Sequence, residues 1–229
     1  MSFNAVPVSV GRPARQPSRG WATAVTVLLA LTAVADLFAV YADYNVYSLM
    51  GDVLSTSDED LSRADVLYAA AGLWQAVSML ATAVVFIVWF HRARVNAEYF
   101  AQNICTMGRG WAIGAWFVPV ANLWLPYRVA RQVWEVSAQS TSDGSWRKVS
   151  YAPVKAWWFL WIGALAVDRI GSTFYNHADS AHALRQAATV VMISDLLSIA
   201  AAVFAILFVR KLTAMQEVSV TPEPTTAAR

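Results

Sequence analysis

Four stretches of the chain are nearly unbroken runs of apolar residues: Trp21 to Ala42, Val66 to Phe90, Trp157 to Tyr175 and Ala187 to Val209. A helix rising 1.5 Å per residue needs about 20 residues to cross the hydrocarbon core of a bilayer, and each run is close to or above that length. Trp21, Tyr41, Tyr44, Trp89, Trp157, Trp158 and Tyr175 sit at the run ends, where amphipathic rings favour the headgroup level. The pattern predicts an all-α membrane protein with four transmembrane helices. The first run also resembles a signal peptide, with Arg12, Arg15 and Arg19 ahead of it and Ala33-Val34-Ala35 as a cleavage-like triplet. Its apolar character continues through Val40, so it is read as a retained helix.

A fifth apolar stretch, WAIGAWFVPVANLWLPYRVARQVW at residues 111–134, departs from that pattern. It is long enough to span, yet it holds Pro119, Asn122 and Pro126, with Arg128 and Arg131 near its end. Lys and Arg accumulate on the cytoplasmic side of membrane helices, which lets two topologies be compared. If the stretch does not cross, both termini are cytoplasmic. Of the 17 Lys and Arg residues, only Arg63 and Arg185 then lie outside, with Arg169 inside a span. If it crosses, Arg147, Lys148, Lys155, Arg210 and Lys211 move outside, and Arg128 and Arg131 enter the bilayer at a cost of a few kcal/mol each. The charges favour four spans.

Pro126 restricts Leu125 away from helical angles and Pro119 removes a backbone donor, so a break within 118–126 is expected. From Pro126, an acceptable first helical residue, a helix would set Arg128, Gln132, Glu135 and Gln139 on one face, with Tyr127, Ala130, Val133 and Trp134 away from it. That is the pattern of a helix lying in the membrane interface. Residues 110–118 would form a short limb from the cytoplasmic side, its tip near Pro119 to Asn122; a ten-residue limb reaches about 15 Å, enough to bring Asn122 towards polar side chains inside the spans. Residues 110–139 are therefore expected to be a Trp/Pro-rich re-entrant or interfacial helical element between helices 2 and 3. A kinked full span is the alternative.

Composition agrees with a membrane location. The chain is 58% hydrophobic and 14% charged, with a mean hydropathy of +0.44, whereas soluble domains are about 25% charged. A net charge of +2 over 229 residues is no argument for nucleic acid. The single cysteine, Cys105, excludes an internal disulfide. Residues 1–19 and 213–229, rich in Pro and polar residues, are expected to be disordered cytoplasmic tails flanking one membrane domain, 20–212. The acidic run Asp58-Glu59-Asp60 reads as a solvated outer loop.

The runs WFHRARVNAEY (89–99) and RGWAIGAWFVPVANLWLPYRVARQVW (109–134) resemble the signature of the domain-of-unknown-function 4328 family. The matching positions are Arg94, Asn96 and Ala97, then Trp111, Trp116, Pro119, Asn122, Trp124 and Pro126, and the resemblance extends over roughly residues 60–212. It implies a bacterial multi-pass protein of the plasma (inner) membrane. It brings no activity, and therefore no catalytic residues.

Enzymatic signatures are absent: no GxxxxGK[ST], HExxH, GxSxG or GxGxxG. His91 lies at the inner boundary and His177 and His182 on the outer loop, so they do not converge on a metal, and no cofactor is expected. Gly110 and Gly114 form a GxxxG-like pair, which in membranes points to close helix packing. The informative feature is charge inside the spans. Asp36, Gln75, Asp168 and Asp195 all fall roughly 10 to 14 Å below the outer surface at 1.5 Å per residue, with Arg169 at the same level. Ionisable groups at that depth face the bundle interior and pair with one another. Arg169 is the expected counter-ion of Asp195 or Asp36. The layer is either a packing device or a site for protons, ions or a sensed ligand. The sequence thus favours a non-enzymatic membrane scaffold or partner-binding subunit in the lipid bilayer, with membrane or cytoplasmic protein partners at the cationic segment 91–156. A small proton- or ion-coupled transporter is the alternative.

Overall fold

The computed structural model describes residues 18–100, 105–139 and 150–218; the expected tails lie mostly outside them. Six α-helices follow in order: α1 Arg19–Leu49, α2 Asp58–Phe100, α3 Trp111–Gly114, α4 Leu125–Gln139, α5 Ala152–Asn176 and α6 Ala181–Val218, with a 3₁₀ turn at Ala121–Leu123. No strand occurs among the described residues. Three helices, α1, α2 and α6, are long and apolar enough to cross a membrane. α5 is not among them. Its apolar run is diluted by Asp168, Arg169 and three indoles, although its 25 residues give a rod of about 37 Å.

The helices outrun their apolar cores because polar residues start and end them well. Ser57 accepts from the Asp60 amide (3.2 Å) while its hydroxyl donates to the Asp60 carboxylate (2.7 Å), a reciprocal cap of the kind that nucleates helices. Asp58, Glu59 and Asp60 are thus the first turn of α2, where negative charge complements the helix dipole, and not a loop. At the other end of the chain, α6 continues to Val218, past the expected limit at 212. Thr213 and Gln216 are buried there: Trp89 Nε1 donates to Thr213 (3.3 Å), and Gln216 donates to the Ala93 carbonyl (2.9 Å) and the Ser137 hydroxyl (3.0 Å).

The long helices alternate in direction. Thr32 and Thr82 share a hydrogen bond between α1 and α2. Arg19 pairs with Glu217 (2.9 Å) where α1 begins and α6 ends, and Arg185 lies over the Tyr47 ring at the opposite end. α5 packs closest to α6, through small residues: Ser194 donates to the Ala164 carbonyl (3.0 Å), and a Cβ on Gly171 would sit 2.8 Å from Val191 Cγ2. The expected close approach at Gly110 and Gly114 is absent, since a Cβ at either position meets nothing within 4 Å. Around the bundle the order is α2, α1, α6, α5, and α2 and α5 do not pack along their lengths.

Residues 111–134 do not form one membrane-length helix. α3 is a single turn and α4 has 15 residues. The chain breaks across the prolines, over 115–124, and α4 starts at Leu125, one residue before the Pro126 start expected from the sequence. The Ala121 amide donates to the Pro119 carbonyl (2.7 Å) across Val120, whose φ is 63°. This is a γ-turn with positive φ, a strained geometry for a β-branched residue. α4 then turns Val129, Val133, Trp134 and Val136 into the core beside Phe208 and Trp157, leaving Arg128 and Arg131 exposed. Its apolar face therefore covers the ends of the long helices.

Candidate functional site

The helices α1, α2, α5 and α6 surround a cavity of about 390 Å³. Its wall is set by which side chains each helix turns inward at steps of seven, four or three residues: Asp36 and Leu29 from α1, Gln75 and Met79 from α2, Trp161 and Asp168 from α5, Asp195 and Ser198 from α6. Trp116, just beyond α3, closes one end with Phe86 and Trp157. Its indole centroid lies 5.8 Å from the Phe86 ring and 5.8 Å from that of Trp161. Although α2 and α5 do not pack along their lengths, aromatic contacts bridge them beside the cavity. Tyr68 stacks on Tyr175 (5.2 Å) towards the end where α1 meets α2 in sequence, and Phe86 meets Trp157 (5.4 Å) towards the α4 end.

Three of the polar residues anticipated in one layer are joined. Gln75 Nε2 donates to Asp36 Oδ1 (3.0 Å) and to Asp195 Oδ1 (2.9 Å), so one amide ties α1, α2 and α6. Asp36 and Asp195 are 5% and 7% exposed, and the Oδ2 of each has no hydrogen-bond partner. Asp168 lines the cavity but is an exposed residue of α5. Arg169 corrects the sequence reading. It is exposed, and none of the ion pairs among the described residues joins it to Asp36 or Asp195. Successive helical residues point about 100° apart, and with Asp168 turned to the cavity Arg169 is rotated away.

Asp43 was missed. It is 1% exposed, with its carboxyl beside that of Asp195. The signal was available: Asp43 lies seven residues after Asp36, two turns on the same face of α1. It fell just past the apolar run and was left outside. The tip of the broken segment also differs from expectation. Asn122 is not in the cavity wall, whereas Trp116 is. Leu123 instead accepts a hydrogen bond from Trp158 Nε1 (3.2 Å), which holds the tip against α5.

The motif residues Arg94, Asn96 and Ala97 are all fully buried at the α4 end of the bundle. Arg94 donates to Glu98 (2.9 Å) and to the Met107 carbonyl, and Arg109 donates to the same Glu98. Together they lock the loop before α3 onto α2. Pro126 is buried, Trp116 and Asn122 half-buried, and Trp111, Pro119 and Trp124 exposed. Cys105 is half-buried beside this lock; burial pushes its thiol up, with Arg94 opposing and Glu98 adding to the rise. His177 bonds the Thr173 carbonyl and His182 bonds Gln186. No group of three or more ligating side chains placed to hold a metal occurs among the described residues.

A family model described as a domain of unknown function, DUF4328, matches residues 52–214, a few residues wider at each end than the motif suggests. No curated protein and no solved structure matches the chain.

Proposed function

Because the chain belongs to the DUF4328 family, whose name carries no activity, we propose a function from geometry: a non-enzymatic four-span membrane protein that carries a small ligand or ion through its central cavity. The observation that carries this reading is the pair of buried carboxyls, Asp36 and Asp195, lining the cavity: Asp36 keeps one oxygen unpartnered, and the Asp195 carboxyl meets only Gln75 and the carboxyl of Asp43 among the described residues. A purely structural network would satisfy its buried polar atoms. Here the amide of Gln75 serves two acids and is exhausted.

Four spans are supported by α5 running antiparallel to α6 at membrane length, and by the Arg19–Glu217 pair, which holds the first and last described helix ends on one side. The cationic residues near that end, including Arg92, Arg128, Arg131, Arg210 and Lys211, favour placing it and both termini in the cytoplasm of a bacterial plasma membrane. On this topology the α3–α4 segment is a cap inserted at the inner face. Exposed Trp111, Phe117 and Trp124 suit contact with lipid headgroups. A scaffold role is the second reading, favoured by the exposed Arg128 and Arg131 on α4 as a docking face for an acidic protein partner.

The test uses purified protein in liposomes under an imposed pH gradient or membrane potential. Proton or cation flux is expected with the native chain and is abolished by Asp195→Asn. Flux-free liposomes overturn the carrier reading. A partner that co-purifies with the native chain and is lost on Arg128→Glu/Arg131→Glu then favours the scaffold.

A further inference from the structure

The cavity is apolar along most of its wall and acidic at one level, and this division identifies what fits it. We propose that it binds an amphiphilic monocation, its charged head at the unpartnered oxygen of Asp36, beside the Asp195 carboxyl with its neighbour Asp43, and its apolar body against the indoles of Trp116, Trp157 and Trp161. The inference rests on reading the cavity as a ligand site and adds the class of ligand.

Charge comes first. Asp36 and Asp195 are held within two hydrogen bonds of each other by Gln75, and neither takes part in any ion pair among the described residues. An unpaired carboxylate oxygen away from water is costly, so a cationic head placed there recovers an interaction that the protein leaves open. An anionic ligand meets repulsion at this level, and a neutral one leaves the charge unmatched.

Shape and surface come next. A bare inorganic cation such as Ca²⁺ takes six to eight oxygen ligands, and no group of ligating side chains placed to hold a metal is present among the described residues. The remaining wall consists largely of indole, phenyl, methionine and alanine surface. Indole faces attract organic cations and pack against flat apolar bodies. The volume, about 390 Å³, falls in the range of roughly 300–1,000 Å³ that holds small organic ligands. Asp168 stands on the α5 side of the same wall, and its negative charge favours a cation over an anion.

The experiment titrates tetraphenylphosphonium into the full-length protein in phosphatidylcholine nanodiscs, against empty discs, with binding read by tryptophan fluorescence and by calorimetry. Tetraphenylborate has the same shape and the opposite charge. Saturable quenching by the cation and none by the anion is expected, and Asp36→Asn and Asp195→Asn should each weaken cation binding by about tenfold or more, with helical content unchanged by circular dichroism. The comparison of the two ions on the native protein stands even if a variant fails to fold. Equal binding of both ions, or no saturable binding of the cation, overturns the inference. Proton flux without cation binding overturns it while leaving the carrier reading intact. Selective cation binding without flux of any kind supports it and overturns the carrier.

Discussion

Arg94→Met tests whether the buried motif arginine locks the cap that closes the cavity. The side chain is 0% exposed and donates to Glu98 and to the Met107 carbonyl. Methionine keeps the apolar stem and removes the donors. Breaking a buried ion pair costs about 3–5 kcal/mol. Glu98 keeps Arg109 as a partner, so the loss belongs at the low end, about 3 kcal/mol. Spread over the opening of the 105–124 segment, that corresponds to roughly a hundredfold larger open population. Cys105, half-buried in the same segment, reports it directly. In detergent or nanodiscs the thiol should react with a maleimide up to about a hundred times faster in the variant where opening limits the rate, and thermal stability should fall. Glu98→Gln should act in the same direction. The double variant should cost less than the sum of the two, because the pair is then lost only once. If Arg94→Met labels Cys105 at the native rate and melts at the native temperature, the lock is not where the stability of the cap resides.

Other outcomes follow from the same structure. Gly171→Ala places a Cβ 2.8 Å from Val191 Cγ2 and should destabilise the α5–α6 pair by about 1–3 kcal/mol; a stability curve superimposing on the native one would refute the close approach. Val120→Gly should stabilise the protein by about 1 kcal/mol, since relief of positive-φ strain outweighs the added freedom of glycine in the unfolded chain. A lower melting temperature would sink that reasoning. Because burial raises the Cys105 thiol, the thiolate is scarcer than in a free cysteine at neutral pH. Maleimide labelling should therefore climb with pH around a midpoint above the ordinary thiol value of about 8.5, and a free-thiol profile would contradict the burial. In intact cells, an impermeant maleimide should leave Cys105 unlabelled; labelling would reverse the assigned orientation.

The chain's own chemistry determined a good deal. Apolar runs specify where helices form, because a backbone removed from water must bond within its own segment. Pro119 and Pro126 specify where the fifth run breaks, because they remove donors and exclude helical angles locally. The depths of Asp36, Gln75 and Asp195 followed from counting residues along each helix, and the structure joins the three through one amide. Depth along a helix is a local quantity. Rotation about its axis is not. Tertiary packing decided that α5 meets α6 through Ala164 and Gly171, which turns Asp168 to the cavity and Arg169 away. It also brought Asp43 beside Asp195 and set Trp116 as the floor in place of Asn122. The helical face each residue occupies in the bundle, and the partner waiting there, depend on contacts between residues distant in sequence, which no single segment encodes by itself.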